Sequence, residues 1–243
     1  CKRQCPARRV VDAEVIAVLC EAMRAVGMVD NDAPLFRIRI SNRLLVDALL
    51  TGNGINETER MKHTLRVIDK RQKVGIENVK LELGSGRIDD SGDPIPGVNL
   101  PASVIDGIAA FIAVSGDSRL DTVEELRDKL PASEDTEKAL TDMQELATLL
   151  DALGITETEA VFDPSLTRGL DYYTGPVFEI EIPGIRSIGS VGGGGRYNEL
   201  CNRFQGQEVP AVGASIGLER LIAALDGLQK LYAPKSTVQV CIA

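Results

Sequence analysis

The chain has one histidine, His63, and that excludes any catalytic scheme built on a histidine triad. A lone histidine inside a helical stretch is read as a surface or packing residue. Cysteine is sparse and unpaired by pattern: the five stand at 1, 5, 20, 201 and 241. Cys1 and Cys5 have no second Cys or His pair beside them, so neither a zinc site nor a disulfide framework is expected, and reduced thiols of a cytoplasmic protein fit best. No apolar run approaches the roughly 20 residues that span a bilayer, and no charged start leads into an apolar signal segment. Positive charge is short as well. The net charge is -9, and between Gly116 and Asp163 fourteen acids face four bases, which excludes a broad phosphate-binding surface there. The basic group Lys2, Arg3, Arg8 and Arg9 reads as a solvated arm. No internal repeat and no low-complexity tract is present.

Against these absences stand 44% hydrophobic and 26% charged residues over 243 positions, ordinary for a soluble globular chain of one large or two modest domains. Asp12 is expected to cap a helix over 13–26 with Val15, Val18, Leu19, Ala22 and Val26 on its apolar face. Alternation predicts a strand over 35–40, and Asn42 is placed to cap a helix through Leu50. From Thr51 to Gly154 the pattern turns helical, with candidates at 58–73, 101–114, 123–130 and 137–153, while 85–96 reads as a loop. Strand character returns at 160–163 and holds through Gly195. Arg168 to Tyr173 is expected to form a short strand, Thr174-Gly175-Pro176 a turn, and 177–182 a second strand with Phe178, Ile180 and Ile182 facing inward. Leu218, Leu221, Ile222, Leu225 and Leu228 mark a further helix, and a new apolar strand begins near Thr237.

Three stretches carry chemistry. The first is Arg168-Gly169-Leu170-Asp171-Tyr172-Tyr173-Thr174-Gly175-Pro176-Val177-Phe178-Glu179. The second is Gly192-Gly193-Gly194-Gly195-Arg196-Tyr197-Asn198, and the third Gly213-Ala214-Ser215-Ile216-Gly217-Leu218-Glu219-Arg220-Leu221. Alone, the first is an ordinary polar hairpin and the glycine run a flexible loop. The run is no P-loop, since no Gly-Lys-Ser/Thr follows, and it does not fit G-x-G-x-x-G. In this order and spacing, however, the first resembles the signature RGLDYYTG of histidyl-tRNA synthetases, and the second their GGGGRYD with Asn198 in place of Asp. The third resembles motif 3 of class II aminoacyl-tRNA synthetases.

The resemblance implies an α+β fold: part of the class II antiparallel sheet flanked by helices, with a mainly helical insertion domain. It divides the chain into 1–50 and 155–232 of the catalytic domain, 51–154 as the insertion, and 233–243 as the start of an anticodon-binding domain. The implied reaction is ATP-dependent activation of histidine to histidyl-adenylate, then transfer to tRNA(His), in a homodimeric enzyme with no membrane association. Arg168 would stabilise charge on the α-phosphate while holding the histidine carboxylate. The alternative is a salt bridge to Asp171 or Glu179. Tyr172 and Tyr173 would bind the imidazole, with packing as the alternative role, chiefly for Tyr172. Gly193 and Gly194 would let backbone approach histidine. Gly217, Glu219 and Arg220 would face ATP, with Glu219 either helping to hold Mg2+ or complementing the helix dipole.

Motifs 1 and 2 of that family have no counterpart here. The resemblance therefore implies an incomplete portion of a synthetase, expected to be inactive alone and to bind histidine weakly at best. A non-catalytic relative is the alternative, such as an ATP phosphoribosyltransferase regulatory subunit or the synthetase-like domain of an amino-acid-starvation kinase. A standalone helical interaction module would leave the three motifs unexplained.

Overall fold

A computed structural model describes residues 7–167, 172–200 and 209–231. The chain opens with α1 (Ala7–Ala25) and a tight hairpin of β1 (Val29–Asp30) and β2 (Ala33–Pro34). The two turn residues, Asn31 and Asp32, have φ of 46° and 65°, the left-handed conformation that two-residue hairpins demand and that Asn and Asp tolerate. Strand β3 (Arg37–Asn42) leads into α2 (Arg43–Gly52). Asn42 caps this helix as expected, its side-chain oxygen accepting from the Leu44 amide at 3.0 Å.

A run of helices follows: α3 (Thr58–Asp69), α4 (Arg71–Val74), α5 (Ile76–Leu83), α6 (Ala102–Ile112), α7 (Arg119–Arg127) and α8 (Glu134–Ala152). The segment 85–96, expected as a loop, contains a small antiparallel hairpin of β4 (Gly86–Ile88) and β5 (Pro94–Pro96). The five-stranded sheet is then completed by β6 (Ala160–Phe162), β7 (Pro176–Glu181), β8 (Gly192–Arg196) and β9 (Val212–Ile216), with a 3-10 turn Pro183–Ile188 between β7 and β8. Helix α9 (Leu218–Gly227) closes the described chain. Among the described residues no helix is long and apolar enough to cross a membrane.

The five strands lie in the order β6-β3-β7-β8-β9. All neighbours are antiparallel except β3 and β6, so the expected α+β class holds with one parallel pair at the edge. Register assigns the two faces. Ile38, Ile40, Phe178 and Ile180 share one face with Gly192, Gly194 and Arg196. Its apolar members are 3% exposed or less and join one continuous core with Ile16, Leu19 and Met23 of α1, Leu140, Met143 and Leu146 of α8, and Leu221 and Ala224 of α9. The opposite face carries Arg37, Arg39 and Ser41 on β3, Val177, Glu179 and Glu181 on β7, Gly193 and Gly195 on β8, and Gly213 and Ser215 on β9. One face is a core and the other is polar and glycine-rich, the division an antiparallel sheet permits.

Helix α1 corrects two expectations. Asp12 is no cap: the helix begins five residues earlier, and Asp12 is fully buried within it. The buried stripe runs through Ala13, Ile16, Leu19, Cys20 and Met23, whereas Val18 is 62% exposed. Arg168 to Asp171 lie outside the described residues, as do 232–243, where a strand was expected to start. Tyr172 and Tyr173, expected to continue the strand at 168, are in a turn and irregular backbone.

Candidate functional site

The site is built on the polar face of the sheet, where β7, β8 and β9 run side by side. Strand β8 is the centre of that arrangement. Glycine is a poor strand former, yet Gly192 to Gly195 are paired on both sides, to β7 and to β9. The absent side chains account for their presence. A Cβ at Gly192 would meet the Ile180 side chain at 3.0 Å, and one at Gly194 the Phe178 ring at 2.8 Å. These two glycines let the core close against the sheet. A Cβ at Gly195 would meet the Tyr173 ring at 2.8 Å, and one at Gly213 on the neighbouring strand the Tyr197 hydroxyl at 2.5 Å. Those two let aromatic rings lie on the sheet's other face. The glycine run is therefore not a loop but the floor of a site.

Above that floor three tyrosines meet. The Tyr172 and Tyr173 ring centres are 4.6 Å apart, and Tyr197 stands edge-on to Tyr172 at 6.0 Å and tilted against Tyr173 at 6.5 Å. Aromatic rings favour such offset and edge-on contacts. All three are half-buried, which leaves amphipathic walls facing a ligand space. The cavity that Tyr172 and Tyr173 border, with Tyr197 packed against them, has a volume of about 560 Å³, in the range of small-molecule sites. Tyr172, Tyr173, Gly193, Gly194, Ser215, Gly217 and Arg220 line it.

At the opposite end from the tyrosines the chain passes from β9 into α9. The Gly217 amide donates to the Val191 carbonyl at 2.8 Å, tying the strand-to-helix corner to the start of β8. Arg220, in the first turn of α9, donates to the Ser190 carbonyl at 2.9 Å. That bond holds the guanidinium over the cavity mouth beside a helix N-terminus, where an anion is favoured by both the arginine and the helix dipole.

Next to this cavity, across β7 and β3, lies a charged cluster. Arg39, 5% exposed, donates to Asp163 at 2.8 Å and to the Ser165 hydroxyl at 3.1 Å, and it stands 3.7 Å from Glu179. Burial works to raise the Asp163 carboxyl, but the Arg39 charge and hydrogen bond, with those from Ser165, outweigh it and hold the group below its usual value. A second cavity of about 520 Å³ continues over this cluster between Ser190, Arg186 and the α4 residues Arg71 and Lys73.

Of the residues nominated from sequence, Tyr172, Tyr173, Gly193, Gly194, Gly217 and Arg220 thus border one space. Glu219 is exposed and stands outside the cavity lining. Arg168 lies outside the described residues. Asn198, which replaces the family's Asp, accepts through its side-chain oxygen from Arg196 and from the Ala211 amide, each at 3.1 Å, so a neutral acceptor serves at that position. Tyr197 was not nominated, although it sits in the quoted GGGGRYN stretch. Its signal is Gly213, a glycine in a strand whose side-chain space the phenol occupies. No group of three or more His, Cys, Asp or Glu suited to hold a metal occurs among the described residues.

Comparison with known proteins agrees with the geometry. The family described as histidyl-tRNA synthetase matches residues 7–221. The histidine–tRNA ligase of Paracoccus denitrificans is 40% identical over 222 residues, covering 88% of this chain and 44% of that protein. That of Caulobacter vibrioides is 39% identical over 228 residues, covering 90% and 46%. The crystal structure of histidyl-tRNA synthetase from Nostoc sp. PCC 7120 superposes with a TM-score of 0.75 at 31% identity, over 92% of this chain and 48% of that one. A Bacillus halodurans structure described as an ATP phosphoribosyltransferase regulatory subunit/histidyl-tRNA synthetase gives 0.68 at 26%, over 89% and 50%. The chain spans about half the length of the curated relatives it matches. With a family match over most of its length and the described parts of the three signature stretches meeting at one cavity, this chain belongs to the histidyl-tRNA synthetase family.

Proposed function

We propose that this chain supplies the imidazole-facing and part of the phosphate-facing surface of a histidine–tRNA ligase, which activates histidine with ATP and passes the histidyl group to tRNA(His). The observation that carries the reading is the pair Tyr172 and Tyr173, braced by Tyr197, over a run of four strand glycines, with an arginine at a helix N-terminus across the same cavity.

In this reading the Tyr173 hydroxyl bonds one imidazole nitrogen, and Tyr172 walls the ring. A buried polar site of that kind rejects amino acids that leave its partners unpaired. Backbone at Gly193 and Gly194 lies against the substrate, which no side chain holds off. Arg168 takes the developing charge on the α-phosphate while fixing the histidine carboxylate, so that attack proceeds from a held geometry. Arg220 and the Gly217 corner receive ATP. Magnesium would come bound mainly to the ATP phosphates, as its chemistry favours. Glu219, next to Arg220 in the first turn of α9 but outside the cavity lining, would assist only from the rim.

The family relationship supports a homodimer and tRNA(His) as partner. Residues 51–154 are proposed as the helical insertion and 1–50 with 155–232 as the catalytic sheet. The last helix of that insertion, α8, packs on α1 and α2. A regulatory, non-catalytic role is the second reading, favoured by the likeness to the Bacillus halodurans structure.

The chain has four tyrosines and no tryptophan, and three of the four are at the site. Labelling with 3-fluorotyrosine therefore makes fluorine NMR a direct report on the pocket. Millimolar histidine is expected to move the Tyr173 resonance saturably, and alanine is not. Absence of any histidine-specific shift in the folded chain contradicts the assignment of the pocket.

A further inference from the structure

Arg196 follows the glycine run, and its side chain does not enter the cavity. It lies on the core face of β8, 4% exposed, and meets the fully buried carboxylate of Asp12 on α1. Nε reaches the two carboxylate oxygens at 3.0 and 3.2 Å, and a terminal nitrogen reaches one at 2.8 Å. The same carboxylate faces Arg9 at 3.4 Å, and Arg9 in turn pairs with Asp142 of α8. A further Arg196 nitrogen donates to Asn198 at 3.1 Å. A forked, two-point pair of this kind fixes orientation as well as position.

What Arg196 holds is the tyrosine turn. Its backbone carbonyl accepts from the Thr174 amide at 2.8 Å, one residue after Tyr173. The Thr174 hydroxyl accepts from the Asn198 amide at 3.1 Å, one residue after Tyr197. Gly175 gives the Arg196 stem its room, since a Cβ there would stand 3.2 Å from Arg196 Cδ. Tyr197 lies between the two anchored residues, and Tyr173 lies against Gly195. The rings are thus fastened from behind the sheet.

We propose that Asp12 is a positioning residue for the tyrosine pocket: through Arg196 it fixes the turn that carries Tyr173 and the strand end that carries Tyr197, and its consequence for histidine binding rests on the function proposed above. Asp12 touches no ligand itself. Its link through Arg9 to Asp142 also ties the pocket to α8.

The test uses the fluorotyrosine-labelled 243-residue chain without ligand. Asp12→Asn keeps the size and removes the charge, Asp12→Glu restores the charge, and the pair Asp12→Leu with Arg196→Met removes both charges so that neither is left buried alone. Thermal unfolding identifies which variants fold. The site resonances are expected to shift or broaden in Asp12→Asn and in the neutral pair, and to move back toward the parent positions in Asp12→Glu. Unchanged site resonances in either folded charge-removed variant overturn the proposal. If neither of those two variants folds, the pair serves fold stability alone, and the proposal is overturned equally. Displaced resonances in Asp12→Asn, together with no histidine response in the parent chain, sink the histidine reading and leave the positioning role standing. A normal histidine response with undisturbed resonances does the reverse.

Discussion

Gly195 and Tyr173 compete for one volume: a Cβ on the glycine would stand 2.8 Å from two carbons of the tyrosine ring. The strand and the ring can both keep their places only while residue 195 has no side chain. Gly195→Ala is therefore expected to push Tyr173 off the sheet, a cost of about 1–3 kcal/mol if the fold holds the ring in place. Histidine affinity should fall by about 5- to 150-fold, with the far-UV circular dichroism unchanged. An alanine variant that binds histidine as the parent does would show that the ring has no fixed place in the pocket.

Tyr173→Phe keeps the ring and removes one hydroxyl. If that hydroxyl bonds the imidazole, KM for histidine in a complete synthetase carrying this segment should rise about 3- to 10-fold with kcat less affected. Tyr172→Phe should do less, since its assigned part is to wall the ring. Equal effects of the two substitutions would exchange or merge these roles.

Acid should weaken the fold through three ion-paired carboxylates. Glu82 lies 2.9 Å from both Lys70 and Arg87, Glu159 takes a two-point grip from Arg24 at 2.6 Å, and Asp163 meets Arg39 at 2.8 Å. For each, burial acts to raise the carboxyl, but the pairing outweighs it and the group sits below its usual value. A carboxyl lowered in the folded state contributes stability that is complete above its unfolded value, and that stability is lost as pH falls through the folded one. The urea midpoint should therefore drop progressively below the unfolded values of 4.5 for the two glutamates and 3.8 for the aspartate. Asp12 and Asp47 are raised by burial, against the pull of Arg196 and Arg43 respectively. Their sign is opposite: they favour the fold when protonated and lose that contribution as pH rises through their folded values. Glu159→Gln should flatten the acid limb, and a midpoint indifferent to pH in this range would contradict the balance.

Arg119 holds the return from α8 into the sheet. It is 1% exposed and donates to the carbonyls of Ile155, Thr156 and Ala160 at 3.0, 3.1 and 2.8 Å. Arg119→Met leaves these acceptors in a dry place and should cost roughly 3 kcal/mol in urea unfolding. A loss too small to measure would mean that the carbonyls find water.

Much of the frame is visible along the chain, because it rests on local signals. The Asn42 cap, helices α3, α6, α7 and α8, and the inward set Phe178, Ile180 and Ile182 are each written within a few residues, whereas α5 is not among the expected helices. The face of α1 is not, since VVDAEVIAVLCEAM is apolar at so many positions that no single stripe stands out. Asp12 looks like a cap because it precedes an apolar run, and its true partner lies 184 residues away. Strand character is legible through Gly195 despite glycine's poor propensity, but the pairing on both sides is not. The site residues are recognisable through their motifs, but the placement of Tyr197 depends on Gly213 of a neighbouring strand, a relation no window along the chain contains.

The proposed function gives histidine activation to the signature residues of this chain. Histidine-dependent ATP–pyrophosphate exchange in a complete synthetase, with residues 7–221 replacing the matching segment of the Paracoccus denitrificans ligase, reads that step. The chimera is expected to exchange, with Arg168→Ala cutting kcat roughly a hundred- to a thousand-fold, as loss of one preorganised donor to a charged transition state does. Background exchange by the folded chimera, or exchange by Arg168→Ala within a few-fold of its parent, would contradict that assignment.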